Sequence, residues 1–309
     1  MSEPKRHHYL PQFYLEQFCR DGSLWVFDRD TSEFRPQTPK NTALISHYYS
    51  VEDEAGNKRT GIESLLSQLE GYAKPIMAKL LAQDAITESD KEEFSIFVAF
   101  MMNRVPDFEK SVNAFEAHLI KRTSNLIFSD EKRVQAIMDR MERETGKRPE
   151  ISAKKLAEFH KRGEYTIEMH RNESLRLMLD LSMDLACYFQ QMDWVVFHVP
   201  PKTSFITTDN PVVLVPPVDF EAGFYGVGII TKGARKLFPL SQTTCLIMGD
   251  RGDRVVHRDV DRQSVRSVNL TLAGYSDRFV IGRDESLVRN MVASTRLTEW
   301  KNTGRFRIG

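Results

Sequence analysis

The sequence has few cysteines and no long hydrophobic run. Its three cysteines, Cys19, Cys187 and Cys245, are scattered and form no CxxC pair. This argues against a disulfide framework and a cysteine zinc site, and is typical of a reducing compartment. No segment approaches the roughly 20 apolar residues that a membrane-spanning helix needs, and the first residues lack the apolar core of a signal peptide. We therefore expect a cytoplasmic protein without a membrane partner.

An excess of either charge is also lacking. The 309 residues include 43 Lys and Arg and 43 Asp and Glu, so the formal net charge is zero. A protein that coats nucleic acid without regard to sequence usually has a clear basic excess, so this class is disfavoured. A local basic patch is compatible with a neutral total, and a nucleotide or nucleic-acid partner therefore stays open.

The hydrophobic pattern changes twice along the chain. Residues 61–192 carry apolar side chains at helical spacing, whereas the two ends carry short β-branched and aromatic runs separated by Gly and Pro. The predicted fold class is α+β, with a mostly antiparallel sheet built from both chain ends and a large central helical lobe. The N-terminal strands are too few to stand alone. We therefore predict a discontinuous β-rich domain of residues 1–60 and 193–309, with residues 61–192 as an insertion or lobe.

The first candidate site residue is His8, in the polar run Arg6-His7-His8-Tyr9. Adjacent histidines point in different directions, so one can face a site and the other solvent. Imidazole titrates near neutrality and acts as acid, base or metal ligand. The competing interpretation is a pair of surface histidines near a mobile terminus. Pro11 and the aromatic residues after it favour a packed terminus instead.

The second candidate is the pair Asp209-Asn210, which follows a predicted strand and precedes Pro211. A proline interrupts strand pairing, so the strand ends here. Carboxylates at strand ends are well placed for metal binding or general-base work. The alternative is an Asx turn, in which both side chains bond to nearby backbone and the proline fixes the turn.

The third candidate is Arg104, at the end of an apolar helix and two residues before Pro106. Its planar guanidinium suits a phosphate or carboxylate clamp. A cation is equally favoured as a cap at a helix C-terminus. Glu63 and Glu70 share one face of the preceding helix, where glutamates are usually solvated.

Taken together, several short motifs resemble a known family. His8-x-x-Pro11-x-x-x-Leu15-x-x-Phe18 is similar to the opening signature of the family called domain of unknown function 4238, although Arg6 stands where members have lysine. Further similar pieces are Arg104-x-Pro106, Thr208-Asp209-Asn210-Pro211, Phe238-Pro239-Leu240-Ser241, and Asn269 ahead of the Arg278 strand. The resemblance implies no reaction. It implies that His8, Arg104, Asp209 and Asn210 are the residues to test first.

Two other short motifs match known catalytic sites but lack the surrounding sequence that those sites require. His257-Arg258-Asp259 matches a kinase catalytic tripeptide, but the glycine loop, strand lysine and Asp-Phe-Gly of kinases are missing. Asp107 followed by Glu109-Lys110 hints at a restriction-type nuclease core. That core needs its carboxylates on strands, whereas these residues lie in helical sequence.

Two hypotheses for function remain. In the first, the protein is a hydrolase, metal-assisted and nuclease-like, that cleaves a phosphodiester or a nucleotide. His8 would be base or ligand, Asp209 base or ligand to a divalent metal, and Arg104 the charge-stabilising group, with Asn210 beside them. In the second, the protein is a binding or effector module without chemistry, and His8 and Asp209 pair to lock the terminus onto the sheet.

Overall fold

The computed structural model of the protein describes residues 6–52, 58–59, 61–221 and 227–296. The helices are α1 (Gln12–Glu16), α2 (Gly61–Ala82), α3 (Glu88–Asn103), α4 (Pro106–Phe128), α5 (Glu131–Thr145), α6 (Ala153–Arg162), α7 (Arg171–Gln190), α8 (Arg262–Gly274) and α9 (Glu285–Thr295). The strands are β1 (Arg6–His8), β2 (Leu24–Asp28), β3 (Glu33–Gln37), β4 (Leu44–Ser46), β5 (Val51–Glu52), β6 (Lys58–Arg59), β7 (Met192–His198), β8 (Thr207–Thr208), β9 (Val213–Val215), β10 (Arg235–Pro239), β11 (Thr244–Arg251), β12 (Val255–Asp259) and β13 (Phe279–Gly282). The predicted α+β fold class is confirmed.

One four-stranded sheet contains strands from both ends of the chain. Its order is β3-β2-β13-β8, so two N-terminal strands continue directly into two C-terminal ones. The antiparallel register places Val26 opposite Ile281, and Val280 opposite Thr208. Packing from both sides buries Val26, Val280 and Ile281 almost completely. The apolar β-branched sequence of these strands suits such a two-sided environment.

A second sheet forms from the C-terminal half alone. Its order is β12-β7-β11-β10-β9, in which β12 runs parallel to β7 and the other neighbours are antiparallel. The predicted antiparallel sheet built from both chain ends is the four-stranded one, and this second sheet is an addition that the sequence does not predict. Its strands β7, β10 and β11 carry many buried apolar side chains. The division of the chain into the predicted domains stays a prediction.

Helix α3 lies at the centre of the helical region. It begins with a reciprocal cap, because Asp90 N donates to Thr87 Oγ1 at 3.1 Å and Thr87 N donates to Asp90 Oδ2 at 2.8 Å. Most of its surface is buried, as expected of a helix enclosed on all sides. The Phe94 ring lies 6.0 Å from that of Trp194 on β7, so helices and sheet share one core. Because Pro106 favours a helix start, the chain turns after Asn103 and continues as α4.

No helix in the ranges given above is both long and apolar enough to cross a membrane.

The buried carboxylate of Asp28 joins the two chain ends beside the shared sheet. Arg278 donates from Nε and from Nη2 at 2.9 Å each, and Arg35 donates from Nη2 at 3.0 Å. Burial by itself would raise the pKa of Asp28, but these bonds hold that pKa below its ordinary value. The Asp28 side chain is 1% exposed, so its charge depends on the two arginines for compensation.

We predict that Asp28→Ala lowers the free energy of unfolding by about 2–4 kcal/mol, because both arginines lose their shared acceptor. Urea denaturation followed by circular dichroism measures this. Asp30→Ala is the matched control, since the Asp30 side chain also meets Arg278 but is 66% exposed. It should cost about 1 kcal/mol or less. Equal losses in the two variants would contradict a special role for Asp28.

Candidate functional site

Strand β1 places two histidines on opposite sides of the chain, as strand geometry requires. His7 is 2% exposed, its ring stacks on that of Tyr49, and its Nδ1 accepts a hydrogen bond from Tyr49 N at 2.9 Å. His8 is half-buried, and its Nδ1 lies 3.2 Å from the Thr42 carbonyl oxygen. Burial lowers the pKa of His8, partly opposed by the bond to Thr42. A neutral ring with its proton on Nδ1 satisfies both His8 and Thr42.

The segment after His8 is anchored in the core by α1. Leu10, Leu15 and Phe18 are fully buried, which confirms that this terminus is packed. The Tyr14 hydroxyl lies 2.7 Å from Thr207 Oγ1 and donates to the Pro239 carbonyl at 2.9 Å. The segment carrying the family-like signature is thereby bonded to both main sheets, through β8 and β10.

Arg104 is buried and holds three parts of the chain together. Its Nη1 donates to Glu70 Oε1 at 2.8 Å, its Nη2 donates to the His8 carbonyl at 2.9 Å, and its Nε donates to the Tyr49 hydroxyl at 3.1 Å. Arg104 is 3% exposed. Burial would lower the pKa of its guanidinium, but Tyr49 and Glu70 raise that pKa above its ordinary value. Both sequence interpretations apply in part, because Arg104 ends α3 and also clamps a carboxylate, one supplied by the protein itself.

Asn210 bonds to the start of α4, just after the turn that contains Arg104, and to the segment that follows α8. Its Nδ2 donates to Asp107 Oδ2 at 2.8 Å and to the Tyr275 carbonyl at 3.2 Å. Asp107 stands three residues after Arg104, in the first turn of α4. The segment from Arg104 to Asp107 therefore contacts His8 through one end and Asn210 through the other.

Asp209 accepts hydrogen bonds from a distant stretch of backbone. Asp277 N donates to its Oδ1 at 3.1 Å, and Arg278 N donates to its Oδ2 at 2.6 Å. An Asx turn is therefore not what Asp209 forms. Thr208 makes the local turn instead, through bonds between its hydroxyl and the backbone N and O of Asn210. Burial, with a further contribution from the charge of Asp277, raises the pKa of Asp209 to about 7.

Tyr9 is a buried tyrosine near enough to Asp209 for the charge of that carboxylate to affect it. It follows His8 in the chain and is 3% exposed. Burial raises the pKa of its phenol well above the ordinary value, and the charge of Asp209 acts in the same direction. The electrostatic influence of Asp209 therefore extends to the residue beside His8.

We call the set His8, Arg104, Asp107, Asp209 and Asn210 the polar junction. The structure brings the four predicted residues to this one region, although His8 and Asp209 share no hydrogen bond or ion pair within the described residues. Their predicted direct pairing is corrected, because each bonds to other partners. Two clefts of about 390 and 680 Å³ lie elsewhere, and no residue of the polar junction lines either.

Among the described residues, His8 and Asp209 are not surrounded by the further ligands that a metal ion would need. Within the described ranges, no group of three or more His, Cys, Asp or Glu side chains is arranged to hold a metal ion. Both oxygens of Asp209 already accept backbone hydrogen bonds. The residues present therefore do not fit a divalent metal at this place.

Several residues of the site escape prediction from sequence. Glu70, expected to be solvated, is the partner of Arg104, and Glu63 lies 3.5 Å from His7 Nε2. Asp107 belongs to a pattern set aside because it lies on a helix, yet it binds Asn210. The signal that could have found it is its position just after Arg104-x-Pro106. Tyr49 carries no such signal, because its role depends on a contact 55 positions away.

Comparison with protein families yields one match. The model of the family described as "Protein of unknown function (DUF4238)" matches residues 6–286. The matched range includes the whole polar junction, and the predicted family is thereby confirmed. Comparisons with curated proteins and with solved structures find no match.

The raised pKa of Asp209 gives a testable pH dependence. Between about pH 4 and 7 the folded state keeps a proton on this carboxyl that the unfolded state has lost, so the Asp209 contribution to stability decreases as the pH rises. We predict that the wild type loses up to about 4 kcal/mol relative to Asp209→Asn between pH 4 and pH 7.5. Urea denaturation of both proteins across this range measures the difference.

The matched control is Asp28→Asn, because the pKa of Asp28 is shifted in the opposite direction. A lowered pKa gives stability that is present above the unfolded value and lost as the pH falls through the folded one. The difference between wild type and Asp28→Asn should therefore stay constant above about pH 4. A constant difference for Asp209→Asn from pH 5 to 8 would mean that Asp209 is ionised throughout.

Proposed function

We propose that this chain, which belongs to the DUF4238 family of proteins of unknown function, is a binding or effector module without a reaction of its own. In this proposal the polar junction is structural. The observation that carries the proposal is the combination of burial and internal bonding. Arg104, Asp209 and Asn210 are each 3% exposed, and their polar atoms bond to the protein itself.

The bonding of Arg104 supports a structural role. An arginine that stabilises charge on a substrate must present N–H groups to it. Here Nε, Nη1 and Nη2 all donate to protein oxygens. A substrate anion would have to displace Glu70, whose side chain is 26% exposed, from its ion pair with the buried guanidinium, and the protein already compensates that buried charge.

The surroundings of Asp209 support the same conclusion. A general base or metal ligand needs a lone pair directed at a reactant. Both oxygens of Asp209 are instead directed at the backbone N–H groups of Asp277 and Arg278, at the entrance to β13. These bonds connect β8 to the segment that follows α8, and hold the shared sheet in place.

The polar junction thereby fixes three parts of the chain relative to one another. His8 belongs to the N-terminal strand, Arg104 and Asp107 to the helical region, and Asp209 and Asn210 to the C-terminal part. A module that recognises a partner needs surfaces held in a constant arrangement. A mostly buried junction with many internal hydrogen bonds supplies this without chemistry.

We predict that Asp107→Ala and Asn210→Ala destabilise the protein non-additively, with a coupling energy of about 1–2 kcal/mol, because their side chains share a buried hydrogen bond. A double-mutant cycle in urea measures the coupling. The control cycle is His8→Ala with Asp209→Ala, two residues of the same region that share no bond, which should be additive within about 0.5 kcal/mol. Additive losses in the first cycle would remove the argument for a structural junction.

A hydrolase remains a second candidate, favoured by one observation. The Asp209 carboxyl has a pKa of about 7, with Asp107 and Asp277 among the charges that raise it. A carboxyl that titrates near neutrality suits general acid–base catalysis. In this candidate Asp209 moves the proton, His8 and Arg104 act beside it, and the substrate is a phosphodiester or a nucleotide. No step is assigned to a metal, since the ligand set does not fit one.

Hydrolysis assays on the full chain separate the two candidates. The probes are bis(p-nitrophenyl) phosphate and ATP, each with Mg²⁺ or Mn²⁺, for wild type and for Asp209→Asn. For a binding module we predict no turnover above the background of a buffer blank, and equal readings for both proteins. Turnover that disappears in Asp209→Asn while the melting temperature stays within a few degrees would establish the hydrolase instead.

A further inference from the structure

In contrast to the polar junction, a cleft on the protein surface is open and most of its positive charges have no acidic partner among the described residues. A cleft of about 390 Å³ lies between the loop that precedes β8, helix α8 and the start of α9. Four basic side chains line it: Lys202, Arg262, Arg266 and Arg283. We call this cleft the basic cleft.

The basic cleft holds a single acidic side chain among its lining residues, and this one is already bonded. Asp284 Oδ2 lies 3.0 Å from Arg283 Nε, while its Oδ1 accepts hydrogen bonds from Leu287 N at 2.9 Å and Ser286 Oγ at 2.7 Å. Asp284 is the N-cap of α9 and is held in that role. It therefore balances Arg283 and leaves the other three cations uncompensated.

Those three cations have no carboxylate partner in the described chain. Arg266 donates to two neutral acceptors, Asn290 Oδ1 at 3.0 Å and Ser294 Oγ at 3.1 Å, which position its guanidinium without cancelling its charge. Lys202 and Arg262 are exposed, and neither side chain forms a hydrogen bond or ion pair with another described residue. Positive charge concentrated in the walls of a cleft attracts anions.

Ser204 supplies an independent observation in the lining of the same cleft. The residue is 4% exposed, and its hydroxyl oxygen is buried with no hydrogen-bond partner among the described residues. A buried hydroxyl without a partner costs free energy, so such a group calls for an explanation. Because Ser204 lines the cleft, rotation of its side chain towards the cleft would let an oxygen atom of a bound ligand supply the acceptor that the hydroxyl lacks.

Asn269 holds Ser204 in position from below. Its Nδ2 donates to the Ser204 carbonyl at 2.8 Å, and its Oδ1 accepts a hydrogen bond from Ile206 N at 3.0 Å. Asn269 is 2% exposed and belongs to the buried face of α8. The backbone around Ser204 is therefore fixed by the core, which is a requirement for a built binding site.

We propose that the basic cleft binds the phosphate group of a small phosphorylated molecule of about the size of a mononucleotide. Arginine and lysine provide charge-assisted hydrogen bonds to phosphate oxygens, and the Ser204 hydroxyl adds a neutral donor. A volume of 390 Å³ falls within the range of about 300–1,000 Å³ typical of small-molecule sites. The cations gather around one cleft in a chain of zero net charge, which favours a single phosphate group over a long nucleic acid.

No residue of the polar junction lines the basic cleft, so phosphate binding there is independent of the role of the junction. A binding module and a hydrolase would use such a site equally well. Phosphate binding can therefore succeed or fail separately from the assays of hydrolysis above.

Isothermal titration calorimetry on the full chain tests the proposal with three probes: AMP, inorganic phosphate and adenosine. We expect saturable one-to-one binding of AMP and of phosphate, and none of adenosine. Arg262→Ala and Ser204→Ala should each weaken AMP binding about tenfold, because each removes one donor to a charged group. Ser204→Ala should leave the melting temperature unchanged or raise it, because it removes a buried hydroxyl that has no partner.

Arg140→Ala is the matched control. Arg140 is likewise an exposed helical arginine, 75% exposed on α5, and its loss changes the net charge by the same amount. It should leave AMP binding unaltered. Equal weakening by Arg140→Ala, adenosine binding as tight as that of AMP, or no saturable binding of either phosphate ligand overturns the proposal. Tighter binding of a single-stranded oligonucleotide than of AMP overturns the assignment to a small molecule.

Discussion

The buried guanidinium of Arg104 is the charge on which the arrangement of the chain depends. A buried guanidinium needs a negative charge nearby and a hydrogen-bond acceptor for each of its nitrogen atoms. Glu70 provides the charge, and Tyr49 and the His8 carbonyl provide the remaining acceptors. These partners come from α2, from the segment before β5 and from β1, so the chain can satisfy Arg104 only when all three are in place.

The polar junction and the basic cleft show two different uses of polar side chains. In the junction, donors and acceptors meet inside the protein, and the result is a fixed geometry with little access for a ligand. In the cleft, Lys202 and Arg262 remain exposed and uncompensated, beside a Ser204 hydroxyl that is buried without a partner. Residue types suited to catalysis are therefore a poor guide to where a ligand binds, whereas unsatisfied groups around a cavity are a better one.

The sequence predicts the fold class and the meeting of the two chain ends, because apolar periodicity separates helices from strands and a lone hairpin cannot stand by itself. It also singles out His8, Arg104, Asp209 and Asn210 through their resemblance to a family. It misses the partners of these residues. Glu70 and Asp107 look like ordinary helical carboxylates, and only tertiary packing turns one towards Arg104 and the other towards Asn210. The second sheet is missed as well, since strand patterns do not state how many layers the strands form.

The pairing of β2 with β13 has a consequence for the order of events during synthesis. Asp28 and Arg278 are separated by 250 positions, so β2 and β3 leave the ribosome long before their partner exists. Until then the N-terminal hairpin has an open edge and an uncovered apolar face, which are features that favour aggregation. Contacts between such distant segments also make folding slow. The sheet that joins the ends can therefore close only after β13 has been synthesised, and until then the edge of β2 stays open.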